Sequence, residues 1–140
     1  DGEEYKFFPY SDVFFDKPMV VDVINWLSTY EKAQNQYRQA LNDMLKGKYD
    51  RQVVDSLRLA LELFLKQFLG NDKSLENQVK DLGVYLKNKN LSSEVSNMFF
   101  KLIDCYAKYN NSHAKHDDSV DENELDFLLY LTGSFIRFFI

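Results

Sequence analysis

The sequence predicts an all-α fold, a single-domain helical bundle of about five main helices. Its 140 residues fall within the usual size of one domain. They include only 2 Pro and 5 Gly, too few for an all-β fold, which needs a turn about every eight to twelve residues. The 12 Phe and 9 Tyr supply large side chains for one compact core.

The first 29 residues differ from the rest of the chain. Residues 1–17 mix aromatic and acidic side chains without a helical period, which predicts an irregular N-terminal arm. Pro18 suits the first turn of a helix, so we expect a short helix to begin there. Residues 30–140 are then expected to form the helical bundle.

The helices of the bundle have recognisable ends. One runs from Glu31 to the residue before Gly47, and a longer one is capped by Asp50 and closes at Gly70. Further capping signals are Ser74 before residues 75–89, Ser92 before residues 93–109, and Ser119 with Glu122 before a last helix that begins at about Asp121.

The long helix carries one polar stripe on an otherwise apolar surface. Asp55, Arg58, Glu62 and Lys66 follow one another at three- and four-residue steps. Arg58 is of interest as a possible active-site cation because it lies in the polar stripe of an otherwise apolar helix. The favoured interpretation is nevertheless an intrahelical ion pair with Glu62 or Asp55.

Charge and cysteine content restrict the possible functions. The net charge of −5 gives no general attraction to nucleic acid or to an anionic membrane. The single cysteine, Cys105, excludes an intramolecular disulfide and is expected to be a small core residue. A chain with one cysteine suits a reducing compartment, so we expect a cytoplasmic protein. The most apolar stretch, residues 125–140, contains Asp126 and Arg137 and is too short to span a membrane.

Both histidines lie in the segment KYNNSHAKHDDSVDENEL, residues 108–125. His113 and His116 could face one metal ion on a helical turn, but no second cluster supplies further ligands, so we predict no metal and no cofactor. The alternative is a polar connector in which Asn110 and Asn111 satisfy exposed backbone groups. A connector leaves unexplained the density of donors and acceptors in Lys108, Tyr109, Asn110, Asn111, Ser112, His113, Lys115 and His116.

The order of these elements resembles the HEPN superfamily (higher eukaryotes and prokaryotes nucleotide-binding) over about residues 30–140. The resemblance rests on the long helix containing LRLALELFLKQFLG, a second hairpin, and a helix that ends in the Asn/His cluster before an apolar terminal helix. It is closest to members of abortive-infection and toxin–antitoxin systems. It implies an all-α, usually dimeric domain of a prokaryotic or phage-defence protein. Many members are metal-independent endoribonucleases with a motif of Arg, four to six residues, then His.

The chain departs from that motif, because no arginine precedes either histidine in this segment. Lys108 stands in its place with four residues before His113, or Asn110 takes the arginine position, Asn111 the polar one, and His116 the histidine. The resemblance implies that His116 or His113 is the general base, with the cation supplied by Lys108, Lys115 or Arg58, and with Lys115 and Tyr109 contacting RNA.

Three hypotheses follow. The first is a HEPN-like domain of a defence protein that cleaves RNA without a metal. The second is a non-catalytic HEPN-like module of a longer protein that dimerises or binds a partner or a nucleotide. The third is an unrelated helical scaffold. The expected partners are a second copy of the chain packed through the last helix, RNA if the domain is active, and another domain or an antitoxin, but no membrane.

Overall fold

A computed structural model describes residues 17–109 and 120–140 of the chain. Over these ranges the protein contains six α-helices and no β-strand, which confirms the prediction of an all-α, single-domain fold. The helices are α1 Lys17–Trp26, α2 Glu31–Leu45, α3 Arg51–Leu69, α4 Val79–Asn88, α5 Ser93–Tyr109 and α6 Glu122–Phe139, and single 3-10 turns cover Leu27–Thr29 and Leu75–Gln78.

The caps predicted for α3 are both present. The side chain of Asp50 accepts hydrogen bonds from the backbone N–H groups of Gln52, at 3.0 Å, and Val53, at 3.3 Å. Gly70 ends the helix with a φ of 70°, the left-handed conformation that glycine adopts without strain. The Ser92 hydroxyl likewise accepts from Val95 N–H at 3.2 Å at the start of α5.

Two predicted helix starts differ in the structure. Ser74 makes no side-chain cap, and the chain passes through a 3-10 turn before α4 begins. The physical reason is that Glu62 accepts the Leu75 N–H at 2.9 Å, so a tertiary contact takes over the capping role. For α6 the cap is Asp121, whose carboxylate accepts from Asn123 and Glu124, while the predicted cap Ser119 lies outside the described residues.

Helix α3 lies at the centre of the bundle. It packs against α2, α4 and α6, while α1 packs on α6 and α4 packs on α5. A cluster of stacked and tilted aromatic rings joins the end of α3 to α4, α5 and α6. Its members are Phe64, Phe68, Tyr85, Phe99, Phe135 and Phe139. This cluster fixes how α5 and α6 are placed against the rest of the fold.

Helices α1 and α6 approach closely at Gly133. A Cβ atom built there would lie 2.9 Å from Cγ2 of Val23 and 3.3 Å from Cε of Met19. Gly133 is buried, and the added Cβ atom would also lie 3.4 Å from the hydroxyl of the buried Tyr37. The close crossing of α1 and α6 therefore depends on glycine at position 133, which has no side chain.

Candidate functional site

Five of the eight predicted site residues belong to residues 110–119, outside the described part of the chain. They are Asn110, Asn111, His113, Lys115 and His116. Lys108 and Tyr109, the last two residues of α5, lead into this segment, and Arg58 lies on α3. The structure therefore describes Lys108, Tyr109 and Arg58.

Lys108 and Tyr109 occupy different environments. The Lys108 ammonium is exposed and pairs with Asp104 at 2.9 Å, the intrahelical contact that α5 offers at this spacing. The hydrogen bond to Asp104 raises the pKa of Lys108. The Tyr109 hydroxyl donates to Oε1 of Glu124 on α6 at 2.7 Å. Burial and then this carboxylate raise the pKa of Tyr109, so the phenol remains protonated at neutral pH.

Arg58 is held in a network of ion pairs. Its guanidinium lies 2.6 Å from Oε1 of Glu76, in the 3-10 turn before α4, and 3.4 Å from Oε1 of Glu62. The expected pair with Glu62 is present, while the contact with Glu76, 18 residues further on, was not predicted. Two carboxylates neutralise the one cation, so Arg58 is poorly suited to receive a phosphate group.

Glu62 connects α3 to the 3-10 turn before α4. Only 8% of the residue is exposed. Its carboxylate accepts the Leu75 N–H at 2.9 Å and lies 3.4 Å from the charged groups of both Arg58 and Lys66. The polar stripe of α3 therefore joins two parts of the fold and is more than a solvated face.

A groove of about 400 Å³ lies between α5 and α6. The two helices run antiparallel, because Tyr109 contacts Glu124 at one end and Phe99 stacks near Phe138 at the other. Between these points Tyr106 hydrogen-bonds Thr132 at 3.0 Å in the buried floor. Apolar side chains and Glu124 line the groove: Leu102, Cys105, Tyr106, Tyr109, Glu124, Phe127, Leu128 and Leu131.

The prediction that Cys105 is a core residue is wrong, because Cys105 is exposed. Helix α5 carries two apolar rows, and the row that faces the core contains Phe99, Ile103 and Tyr106. The other row faces outward and contains Met98, Leu102, Cys105 and Tyr109. Both rows have helical spacing, so only the packing of α5 distinguishes them.

The outward rows of α5 and α6 both repeat every seven residues, as in a coiled-coil seam. On α6 the corresponding positions are Glu124, Phe127, Leu131, Ser134 and Phe138. We call these two rows together the α5–α6 face. Met98 and Phe127 are each 63% exposed, and Phe138 is 45% exposed. The seven-residue spacing was a signal in the sequence, although the prediction assigned Cys105, one member of the α5 row, to the core.

The first turns of α6 carry a second cluster of ionisable groups. Burial raises the pKa of Asp126 to about 6, and the nearby charge of Glu122 adds to the effect. The Oδ1 atom of Asp126 is enclosed and has no hydrogen-bond partner among residues 17–109 and 120–140. Burial and then Glu122 also raise the pKa of Tyr49, whose backbone carbonyl accepts the N–H of Val120 at 3.1 Å. This end of α6 is acidic and does not favour an RNA backbone.

The described residues contain no group of three or more His, Cys, Asp or Glu side chains that could hold a metal ion. Within the same ranges no helix is both long and apolar enough to cross a bilayer. Comparison of the chain with known protein families, with curated proteins and with solved structures gave no match.

Proposed function

We propose that this chain is a self-associating helical module in which two copies pack through the α5–α6 face. The observation that carries the proposal is the pair of adjacent, outward-facing rows that are mostly apolar, with Met98, Phe127 and Phe138 exposed. Single exposed apolar residues are ordinary, but a face built from two aligned rows is typical of an interaction site. This is the non-catalytic alternative among the three hypotheses.

A second copy is favoured as the partner because the face complements itself. Helical rows with seven-residue spacing pack best against other helices with the same spacing, and a copy of the chain supplies them. The rim of the face carries both signs of charge, with Lys108 beside the α5 row and Glu124 in the α6 row. Two copies can therefore meet without leaving an excess of one charge in the contact.

The size of the face sets the expected affinity. Helices α5 and α6 contain 17 and 18 residues and are about 25 Å long, and side by side they are about 20 Å wide. The face therefore offers on the order of 500 Å² per copy, near the lower limit for a specific interface. We expect a dimer with a dissociation constant in the micromolar range.

Light scattering across protein concentration, combined with substitution of Phe127, tests the proposal. The wild-type mass should approach that of two chains at tens of micromolar. Phe127→Ser removes an exposed ring from the face and should raise the dissociation constant at least ~10-fold, the scale of a 1.4 kcal/mol loss. Val84→Ser on α4 is the matched control, because Val84 is 57% exposed and lies on another helix.

The control should leave the dimer unchanged. Circular dichroism of both variants establishes that each is folded. A wild-type protein that stays monomeric at the highest concentration would refute the proposal, and so would equal effects of the two substitutions.

Metal-independent RNA cleavage is the second candidate function. What favours it is the position of Lys108, an exposed cation in the last turn of α5 at the entry to the segment whose sequence holds His113 and His116. Cleavage should then persist in EDTA, leave a cyclic phosphate end, and fall by roughly 100-fold in the variant in which both histidines are alanine. Unchanged cleavage in that variant would exclude this chemistry.

A further inference from the structure

We infer that the twofold axis of the dimer runs parallel to α5 and α6 along the groove between them, so that each α5 packs antiparallel on α6 of the second copy. The inference rests on the self-association proposed above and adds the arrangement of the two copies. The product is a four-helix bundle formed by both α5 and both α6 helices, with the two grooves facing each other.

Contacts within one copy establish which residues of α5 and α6 lie at the same level. At one end the Tyr109 hydroxyl is 2.7 Å from Glu124, so Lys108 lies at the level of Glu124. At the other end the rings of Phe99 and Phe138 are 4.5 Å apart, so Met98 lies at the level of Phe138. A twofold axis along the helices leaves these levels unchanged, because it exchanges the copies without moving residues along the axis.

With the axis along the groove, residues at one level along the helices contact residues at the same level of the second copy. Lys108 then lies opposite Glu124 of the second copy, a cation facing an anion at the rim. Met98 lies opposite Phe138 of the second copy, which buries two of the exposed apolar side chains against each other. The arrangement therefore matches both the charge and the apolar surface of the face.

The other isologous arrangement has its axis across the helices. It brings opposite ends of the face together, so that the Glu124 carboxylate meets Phe138 of the second copy and the Lys108 ammonium meets Met98. Each contact removes water from a charged group and adds no polar partner to the one it has within its own copy, Asp104 for Lys108 and the Tyr109 hydroxyl for Glu124, which costs free energy. The axis along the groove avoids this cost.

Cysteine cross-linking distinguishes the two axes. The row on α5 from Met98 to Tyr109 has its middle near residue 103, and at a rise of about 1.5 Å per residue Cys105 lies within ~3 Å of that middle. With the axis along the groove, each α5 packs on α6 of the second copy and the two α5 helices lie diagonally across the bundle, so the two Cys105 residues stay apart. With the axis across the groove, the two α5 helices pack on each other and the two Cys105 residues come close together. Positions 98 and 138 of different copies are adjacent with the axis along the groove and ~16 Å apart along the helices with the axis across it.

A disulfide requires Cα atoms within about 7 Å, so only the first arrangement links position 98 to position 138 of the second copy. The experiment treats two samples with diamide, which removes two electrons and two protons from a pair of thiols. They are the wild type, which has Cys105 alone, and an equimolar mixture of Met98→Cys/Cys105→Ser chains with size-tagged Phe138→Cys/Cys105→Ser chains, in which a link between positions 98 and 138 joins different copies. Val84→Cys with Cys105→Ser serves as the control for random collisions, because Val84 is comparably exposed.

We expect the mixture to form the covalent dimer that links positions 98 and 138 in high yield, and the wild type and the control to remain near background. Cross-linking through Cys105 but not through position 98 would overturn the axis while leaving self-association through this face intact. A dimeric mass without either cross-link would place the interface elsewhere, and a monomeric mass would remove the self-association itself. The two proposals therefore fail by different results.

Discussion

Replacement of Glu62 by alanine tests whether the polar stripe of α3 supports the fold. The Glu62 carboxylate is nearly enclosed and accepts the N–H of the fully buried Leu75 at 2.9 Å. In Glu62→Ala the buried Leu75 N–H group loses its hydrogen-bond acceptor. Such a loss costs about 1–3 kcal/mol of unfolding free energy.

The lost ion pairs add less. Arg58 keeps its 2.6 Å contact with Glu76, and Lys66 keeps Asp72 at 3.7 Å, so neither cation is left without an anion. Partly exposed pairs of this kind contribute about 0–1 kcal/mol each. The expected total for Glu62→Ala is therefore about 1–5 kcal/mol, most of it from the Leu75 N–H.

Urea unfolding of three variants separates these contributions. Glu62→Gln keeps an oxygen that can accept from Leu75 and should lose only about 1 kcal/mol. Asp55→Ala removes an exposed carboxylate of the same stripe and should change stability by less than about 0.5 kcal/mol. If Glu62→Ala were no more destabilising than Asp55→Ala, the argument that this carboxylate holds the turn before α4 would be wrong.

Three further substitutions have expected outcomes that follow from the described contacts. The pKa of Asp126 in the folded chain is about 6, above the usual value of 3.8. Between about pH 4 and pH 6 the folded chain therefore binds more protons than the unfolded chain, and the unfolding free energy falls as the pH rises through that window. Asp126→Asn should remove this dependence and gain about 1 kcal/mol at pH 7 after allowance for solvent exposure; a stability profile in urea that keeps its slope would contradict the assignment. Gly133→Ala should lower the melting temperature by several degrees because its Cβ would meet Val23 at 2.9 Å. In Gly83→Ala the new Cβ would lie 3.3 Å from the edge of the Phe100 ring, and this variant should be neutral or more stable because alanine favours the helix. Equal effects of the two substitutions in a thermal melt would exclude close packing as the cause.

The sequence by itself determined the helices, because their ends depend on neighbouring residues. Asp50 caps α3 through N–H groups two and three residues away, and Gly70 ends it with a left-handed φ. Such interactions need no other part of the fold. The predicted bounds of α3 and α5 therefore agree with the structure. Where the cap comes from a distant residue, as Glu62 does for Leu75, the local signal at Ser74 gave the wrong start.

Tertiary structure alone decided which surfaces face inward and which charges meet. On α5, Phe99 and Tyr106 belong to one row, Met98 and Cys105 to the other, and both rows satisfy the same helical period. The packing of α5 against its neighbours selects the first row for the core, so the second remains exposed. Arg58 similarly contacts Glu76 across 18 residues of sequence. Periodicity specifies that a helix has an apolar side, but the choice between two such sides depends on the helices that surround it.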